Sequence, residues 1–350
     1  MNKSSEYARL FNIIENPSDT ILEIKENIYN NSNEYNSYKL TKDVNPEKSE
    51  KKIPTIKIPL KRVICMSTGH IAYLNILNET ESIVAVSGGR YINNVIINEL
   101  IEQGKIADIG FESSLNYELI LSLKPDMVFT YGISGENNSY IEKLRQLGIP
   151  VLVLGDFSEN HPLGKLEYIK LFGALFGKLK MADSIFCSKK ESYVELRDKL
   201  RKVNTRPNVL LNAPWKETWY LPGSDSYMTQ LIYDAGASVL GAKPNTSQSG
   251  SSNIEEVYKL SITADFWLNP NSYKSINSLT LAVPLFKNIN AIKRGNIYNN
   301  IKKITSSGGS DFWENGVIEP EIILMDLVKI FHPEQIENHE LRYYIKLNID

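Results

Sequence analysis

The sequence predicts an α/β protein: two Rossmann-like lobes with parallel-type sheets, joined by one long rigid α-helix. Three observations predict it. From residue 59 onward, short apolar runs alternate with helical patterns at a spacing of about 25 residues, the mark of a parallel sheet covered by helices on both faces. The alternation pauses at 181–203, an unbroken helical stretch, and restarts from 204. At 350 residues the chain has room for about two domains.

Residues 1–58 are polar and rich in Asn, Lys and Glu, and they read as an N-terminal extension. Short strands at 13–17 and 35–40 would make a hairpin packed on the body; the alternative is a disordered leader. The N-terminal lobe spans 59–180. Its first strand, 63–66, leads through Ser67, Thr68, Gly69 and His70 into a helix with apolar Ile71, Tyr73, Leu74 and Leu77. A second strand, 83–86, ends in Ser87, Gly88, Gly89 and Arg90. A short strand and turn at 106–110 precede a helix at 115–123, which Lys124-Pro125-Asp126 breaks. Strands at 127–130 and 151–154 flank a helix at 141–147 that stops at Gly148. An amphipathic helix follows over 162–178.

The interlobe helix, 181–203, would run about 33 Å at 1.5 Å per residue, long enough to cross a lobe. Its partial apolar stripe is Ile185, Tyr193, Leu196 and Leu200. The C-terminal lobe, 204–334, repeats the pattern with strands at 209–211, 265–268 and 296–299 and helices at 226–235, 254–260 and 320–331. Residues 335–350 read as a tail.

Composition narrows the function classes. Apolar residues make up 42% and charged residues 23%, which excludes disordered, fibrous and disulfide-scaffold chains. With Lys+Arg at 39 and Asp+Glu at 41, the net charge of −2 argues against a nucleic-acid binder. No apolar run approaches the ~20 residues that span a bilayer. Cys65 and Cys187 stand apart, with no CxxC or Cys/His cluster to hold zinc. The polar start, Met1-Asn2-Lys3-Ser4-Ser5, has no signal-peptide core. That leaves a cytosolic protein or a chain whose targeting segment was removed.

In open parallel sheets, ligands bind beyond the carboxyl ends of the strands. The residues there are dominated by Gly, Ser, Tyr, Trp and Asn. That vocabulary offers flat apolar faces and adaptable hydrogen bonds, whereas acid–base catalysis wants paired His or carboxylates. No catalytic residue is therefore assigned. Ser87-Gly88-Gly89 is a phosphate cradle or a plain turn, and no GxGxxG or GxxxxGK[ST] exists. His70 is a metal or haem ligand, or a core histidine; the four histidines lack ligand spacing, so no metal site is assigned. Arg90 would clamp an anion or lie solvated, with Tyr91 beside it and Tyr131 after the next strand but one. Trp215, Trp219 and Tyr220 crowd one loop between Pro214 and Pro222, as a ligand platform or partly as core. Phe312 and Trp313, after Ser306-Ser307-Gly308-Gly309, read the same way.

Over roughly residues 58–334 the chain resembles the substrate-binding proteins of ABC importers for iron complexes, haem and cobalamin. The resemblance rests on Pro59-Leu60-Lys61-Arg62-Val63, Asp108-Ile109-Gly110, Asn116-Tyr117-Glu118 followed by Leu123-Lys124-Pro125-Asp126, and Leu147-Gly148-Ile149-Pro150-Val151. The second half adds Trp219-Tyr220-Leu221-Pro222-Gly223, Asp234-Ala235-Gly236-Ala237 and Ala264-Asp265-Phe266-Trp267. The late stretches 309–314 and 330–334 look like one branch of that family.

The resemblance implies capture of a ferric siderophore, haem or cobalamin-type ligand between the lobes, and delivery to an ABC permease. It implies one docking glutamate per lobe, matched by Glu118 and, with Glu256 adjacent, by Glu255; a solvated helix face is the other reading of Glu118. It implies a periplasmic protein or a lipoprotein whose only membrane contact is a lipid anchor. The chain departs from the family in lacking a signal segment and a lipid-attachment cysteine, and in its longer N-terminal extension. It also implies small lobe movements about a rigid helix. Two other readings remain: a two-lobe α/β enzyme acting on a small molecule, and a surface interaction module using the Asn-rich extension.

Overall fold

Alternating apolar residues build the N-terminal region. In the computed structural model, which describes residues 5–17, 19–26, 34–42, 53–111, 114–132 and 139–349, this region holds β1 (Phe11–Glu15), β2 (Thr20–Ile24), β3 (Asn36–Thr41) and β4 (Thr55–Lys57). They form one sheet in the order β1-β2-β3-β4, larger than the expected hairpin. The β3–β4 pairing is parallel and the other two are antiparallel. Phe11, Ile13, Leu22, Ile24, Leu40 and Ile56 bury one face, as period-2 patterning requires. That face joins the main hydrophobic core.

The first lobe has five parallel strands in the order β7-β6-β5-β8-β9. These are β5 (Val63–Cys65), β6 (Ile83–Val86), β7 (Ala107–Asp108), β8 (Met127–Thr130) and β9 (Val151–Val153). Every residue of β5, β8 and β9 is buried, as befits strands covered on both faces. The connecting helices are α1 (Thr68–Ile76), α2 (Val95–Glu102), α3 (Tyr117–Leu123) and α4 (Ser139–Gln146). Asn94 and Asn116 cap α2 and α3 by accepting a backbone N–H with their side chains.

Next comes α5 (Pro162–Leu175), started by Pro162 at its first position. It differs from the expected amphipathic helix, because all of its residues are buried, Lys165, Glu167 and Lys170 included. The N-terminal segment covers the part of α5 around Glu167. The Glu167 carboxylate accepts the backbone N–H groups of Glu6, Tyr7 and Ala8 at 2.8–3.0 Å. Glu159 accepts those of Arg9 and Leu10. Lys170 neutralises Glu167 at 3.2 Å, and the Phe11 ring meets Tyr168 edge-on at 4.7 Å. Residues 5–15 are thus part of the body.

The interlobe helix α6 (Leu179–Leu200) begins two residues earlier and ends three earlier than the expected 181–203. It turns back on α5 through Gly173, where any larger residue would overlap Ala182.

The second lobe carries β10 (Asn208–Leu211), β12 (Ser238–Val239), β14 (Phe266–Leu268), β15 (Ile297–Asn299) and β16 (Ile345–Lys346). Their order is β12-β10-β14-β15-β16, parallel except for β16. A separate antiparallel ribbon pairs β11 (Thr218–Leu221) with β13 (Gly250–Asn253). The helices are α7 (Tyr227–Asp234), α8 (Ile254–Ser261), α9 (Ile276–Ala282), α10 (Asn290–Lys293), α11 (Asp311–Glu314) and α12 (Pro320–Phe331).

The stretch expected as a tail belongs to this lobe. It supplies β16 and buries Tyr343, Tyr344 and Leu347. The buried Asp326 carboxylate accepts the N–H groups of Arg342 and Tyr343 and lies 2.6 Å from His339 Nε2. Two lobes on parallel sheets, joined by one long helix, make the α/β architecture that the sequence predicts. Among the described residues no helix is long and apolar enough to cross a membrane.

Candidate functional site

The strand order of the first lobe reverses direction at β5, and the loops leaving the strand ends there carry the candidate residues of this lobe. After β6, Gly88 takes a left-handed turn (φ +68°). The Asp108 carboxylate holds that turn by accepting the N–H groups of Gly88 (3.1 Å), Gly89 (2.8 Å) and Gly110 (3.0 Å). This gives the Asp108-Ile109-Gly110 motif a physical role: it shapes the loop that presents Arg90 and Tyr91. The Arg90 guanidinium lies over the rings of Tyr91 (4.9 Å) and Phe111 (5.4 Å), which themselves meet edge-on at 5.5 Å. After β8 and β9, Tyr131 and Phe157 form a second edge-on pair at 6.2 Å.

The second lobe offers a matching set. Trp215 is 68% exposed at the tip of a tight turn in which it and Thr218 exchange backbone hydrogen bonds. Tyr220 on β11 is 48% exposed, and Trp313 on α11 is 47% exposed. Three sequence candidates lie elsewhere. Trp219 is 0% exposed, because strand alternation turns it inward as it turns Tyr220 outward. Its indole donates to the Leu211 carbonyl at 2.9 Å and stacks on Phe286 at 5.1 Å. Phe312 is buried edge-on against Tyr343 and Tyr344. His70 is buried on the inner face of α1, with Nε2 3.7 Å from Asp156 and neither ring nitrogen hydrogen-bonded among the described residues. These three are core residues and are not part of the exposed set.

Arg90, Tyr91, Tyr131, Trp215, Tyr220 and Trp313 therefore remain as surface groups at strand ends or on the ribbon. Phe111 and Phe157, both partly exposed, join them; each follows a strand end, the signal that selected the others. Lys165 and Tyr227 sit where the lobes meet. The Lys165 ammonium lies over the Tyr227 ring at 5.0 Å and the Trp313 ring at 5.8 Å. Burial pushes the Lys165 ammonium toward neutrality, against the pull of Asp156. Burial alone would raise the Asp156 carboxyl, but His70 and Lys165 hold it below the usual carboxylate range.

A second set of contacts seats residues 309–314 on the first lobe. Asn93 donates its backbone N–H to Glu314 at 2.6 Å and its side-chain amide to the Gly309 carbonyl at 2.9 Å. Burial, with Asp311 adding repulsion, pushes the Glu314 carboxyl up to about 7. Gly309 itself lies against the Tyr91 backbone, where a Cβ would overlap the carbonyl oxygen. Glu118 and Glu255 are exposed in the first turns of α3 and α8, each helix capped by an asparagine. Among the described residues no group of three His, Cys, Asp or Glu side chains is gathered to hold a metal ion.

Partly exposed aromatic side chains thus stand at strand ends and on the ribbon of two α/β lobes. The chain belongs to the periplasmic binding protein family, whose model matches residues 63–302. An uncharacterized lipoprotein of Methanocaldococcus jannaschii is 27% identical over 316 residues, covering 87% of this chain and 73% of the relative. The fold is similar to that of the periplasmic haem-binding protein HutB of Vibrio cholerae: TM-score 0.61, 17% identity, 78% of this chain and 99% of that one. It is also similar to a structure from the ABC-type Fe3+-hydroxamate transport system of Saccharomonospora viridis: TM-score 0.56, 18% identity, 78% of this chain and 94% of that one. At these identities the two structures speak to the fold alone.

Proposed function

We propose that this chain is the extracytoplasmic receptor of an ABC importer, and that it captures a bulky iron complex or tetrapyrrole (ferric siderophore, haem or cobalamin type) between its lobes. The observation that carries this reading is the set of aromatic side chains left partly exposed on both lobes: Tyr91 and Phe111 under Arg90, and Tyr131 beside Phe157, in the first, and Trp215, Tyr220 and Trp313 in the second. Flat rings cover a rigid planar or chelated ligand at little entropic cost. The names of the haem and Fe3+-hydroxamate neighbours agree with that ligand class.

Glu118 and Glu255 are proposed to dock onto the permease, and the lipoprotein name of the relative supports a lipid-anchored form outside the cytoplasm. The cross-lobe contacts at Asn93, Gly309 and Glu314, together with α6, keep closure small.

Trp215→Ala and Trp313→Ala are each expected to weaken ligand binding at least tenfold while leaving Tm near that of the parent, since both rings are about half exposed or more. Isothermal titration of each variant tests this. Unchanged affinity in both would remove the aromatic cleft as the binding surface.

A further inference from the structure

Lys165 stands out among the lysines of the body. Lys170, equally buried, is paired with Glu167 at 3.2 Å and Asp183 at 3.4 Å. Lys178 and Lys189 are likewise paired with Glu79 and Glu321. Lys165 is 7% exposed, yet among the described residues its ammonium has no hydrogen-bond acceptor and no ion pair. Its neighbours are the faces of Tyr227 and Trp313, which attract a cation but satisfy none of its three N–H donors. With no acceptor in hydrogen-bond reach among the described residues and only the longer-range pull of the Asp156 carboxylate, this ammonium is available to an incoming oxygen. Lys165 projects from the first turn of α5, in the first lobe, toward two rings of the second. The Trp313 ring is about half exposed, so the ammonium lies just behind the cleft surface.

We propose that Lys165 is the charge-specific anchor of the cleft, and that the ligand is an anion presenting a carboxylate, phenolate or similar oxygen to it beside the Trp313 ring. This rests on the cleft-capture reading above and narrows it. The incoming oxygen provides the acceptor that the fold withholds, and the aromatic walls exclude the water that would otherwise compete. Arg90, at the rim over Tyr91 and Phe111, is the second cation available to the same ligand.

The test compares the full chain with Lys165→Met and Lys165→Arg, using isothermal titration and tryptophan quenching. The anionic probes are haem, with its two propionates, and a ferric tris-catecholate. The uncharged or cationic probes are cyanocobalamin and ferrioxamine B. Anionic probes are expected to bind at least tenfold tighter than the others, with Lys165→Met losing that preference and Lys165→Arg keeping most of it. Lys165→Met is expected to fold with Tm near that of the parent, because the apolar replacement removes a buried charge while the Asp156 carboxylate keeps the His70 ring beside it. Equal affinity for both probe classes, or an unchanged dissociation constant in Lys165→Met, overturns the anchor and leaves cleft capture standing. Failure of all four probes overturns cleft capture of iron complexes and tetrapyrroles, and the anchor with it.

Discussion

Gly309→Ala is expected to unseat the loop that ties the second lobe to the first. The added Cβ would overlap the Tyr91 carbonyl oxygen, and the nearest relief is movement of backbone, since the neighbouring atoms are also Tyr91 main chain. Overpacking of this kind typically costs about 1–3 kcal/mol and more where backbone must shift. The displacement would also break the Asn93 amide bond to the Gly309 carbonyl and disturb the bond between Asn93 N–H and Glu314. Gly308 is the control. Its φ of +91° strains any side chain, but nothing lies within 4 Å of a Cβ there. Thermal unfolding of both variants should rank Gly309→Ala well below Gly308→Ala. Parent-like Tm for Gly309→Ala would mean that the loop is not seated on Tyr91.

Glu167→Ala has the larger expected effect on stability. The change strips the acceptor from three backbone N–H groups, those of Glu6, Tyr7 and Ala8, and leaves the Lys170 ammonium without its closest partner. Breaking a buried pair by removing one member typically costs about 3–5 kcal/mol, because the other charge stays buried. Glu167→Gln keeps an acceptor oxygen for the N–H groups and loses only the charge, so it should fall between. Denaturant unfolding gives the size of the loss. Hydrogen exchange gives its place: residues 6–8 should lose protection first in Glu167→Ala. A loss under 1 kcal/mol with protection retained would show that the β1–β4 sheet, not this carboxylate, holds the N-terminal segment.

These two sites show what was legible in the sequence. The parallel strands were, because chain segments such as Val63–Cys65 and Val151–Val153 are apolar throughout and must be covered on both faces. The restart after the long helix was legible for the same reason. The burial of α5 was not. Lys165, Glu167 and Lys170 look like a solvent stripe, and only contacts distant in sequence turn it inward: Glu6 and Tyr7 on Glu167, and Tyr227 and Trp313 on Lys165. Strand β16 has two residues, too few for periodicity to register.

At the candidate site, position relative to strand ends selected Arg90, Tyr91 and Tyr131 and, by the same rule, would have selected Phe111 and Phe157. It misplaced Trp219, because 212–220 read as a loop; recognising β11 would have set Trp219 and Tyr220 on opposite faces. Lys165 carries no local signal. A lysine in a helix is ordinary until its partners are known.

The proposed function requires that this chain bind an iron complex or tetrapyrrole between its lobes and release it unchanged. An equilibrium titration of the purified chain with haem, cyanocobalamin, a ferric tris-catecholate and ferrioxamine B, followed by mass analysis of the recovered ligand, tests it. Cleft capture predicts one-to-one, saturable binding by at least one of these, with the metal-free chelator weaker and the ligand recovered intact. Flat titrations across the four, or recovery of a chemically altered ligand, would contradict it.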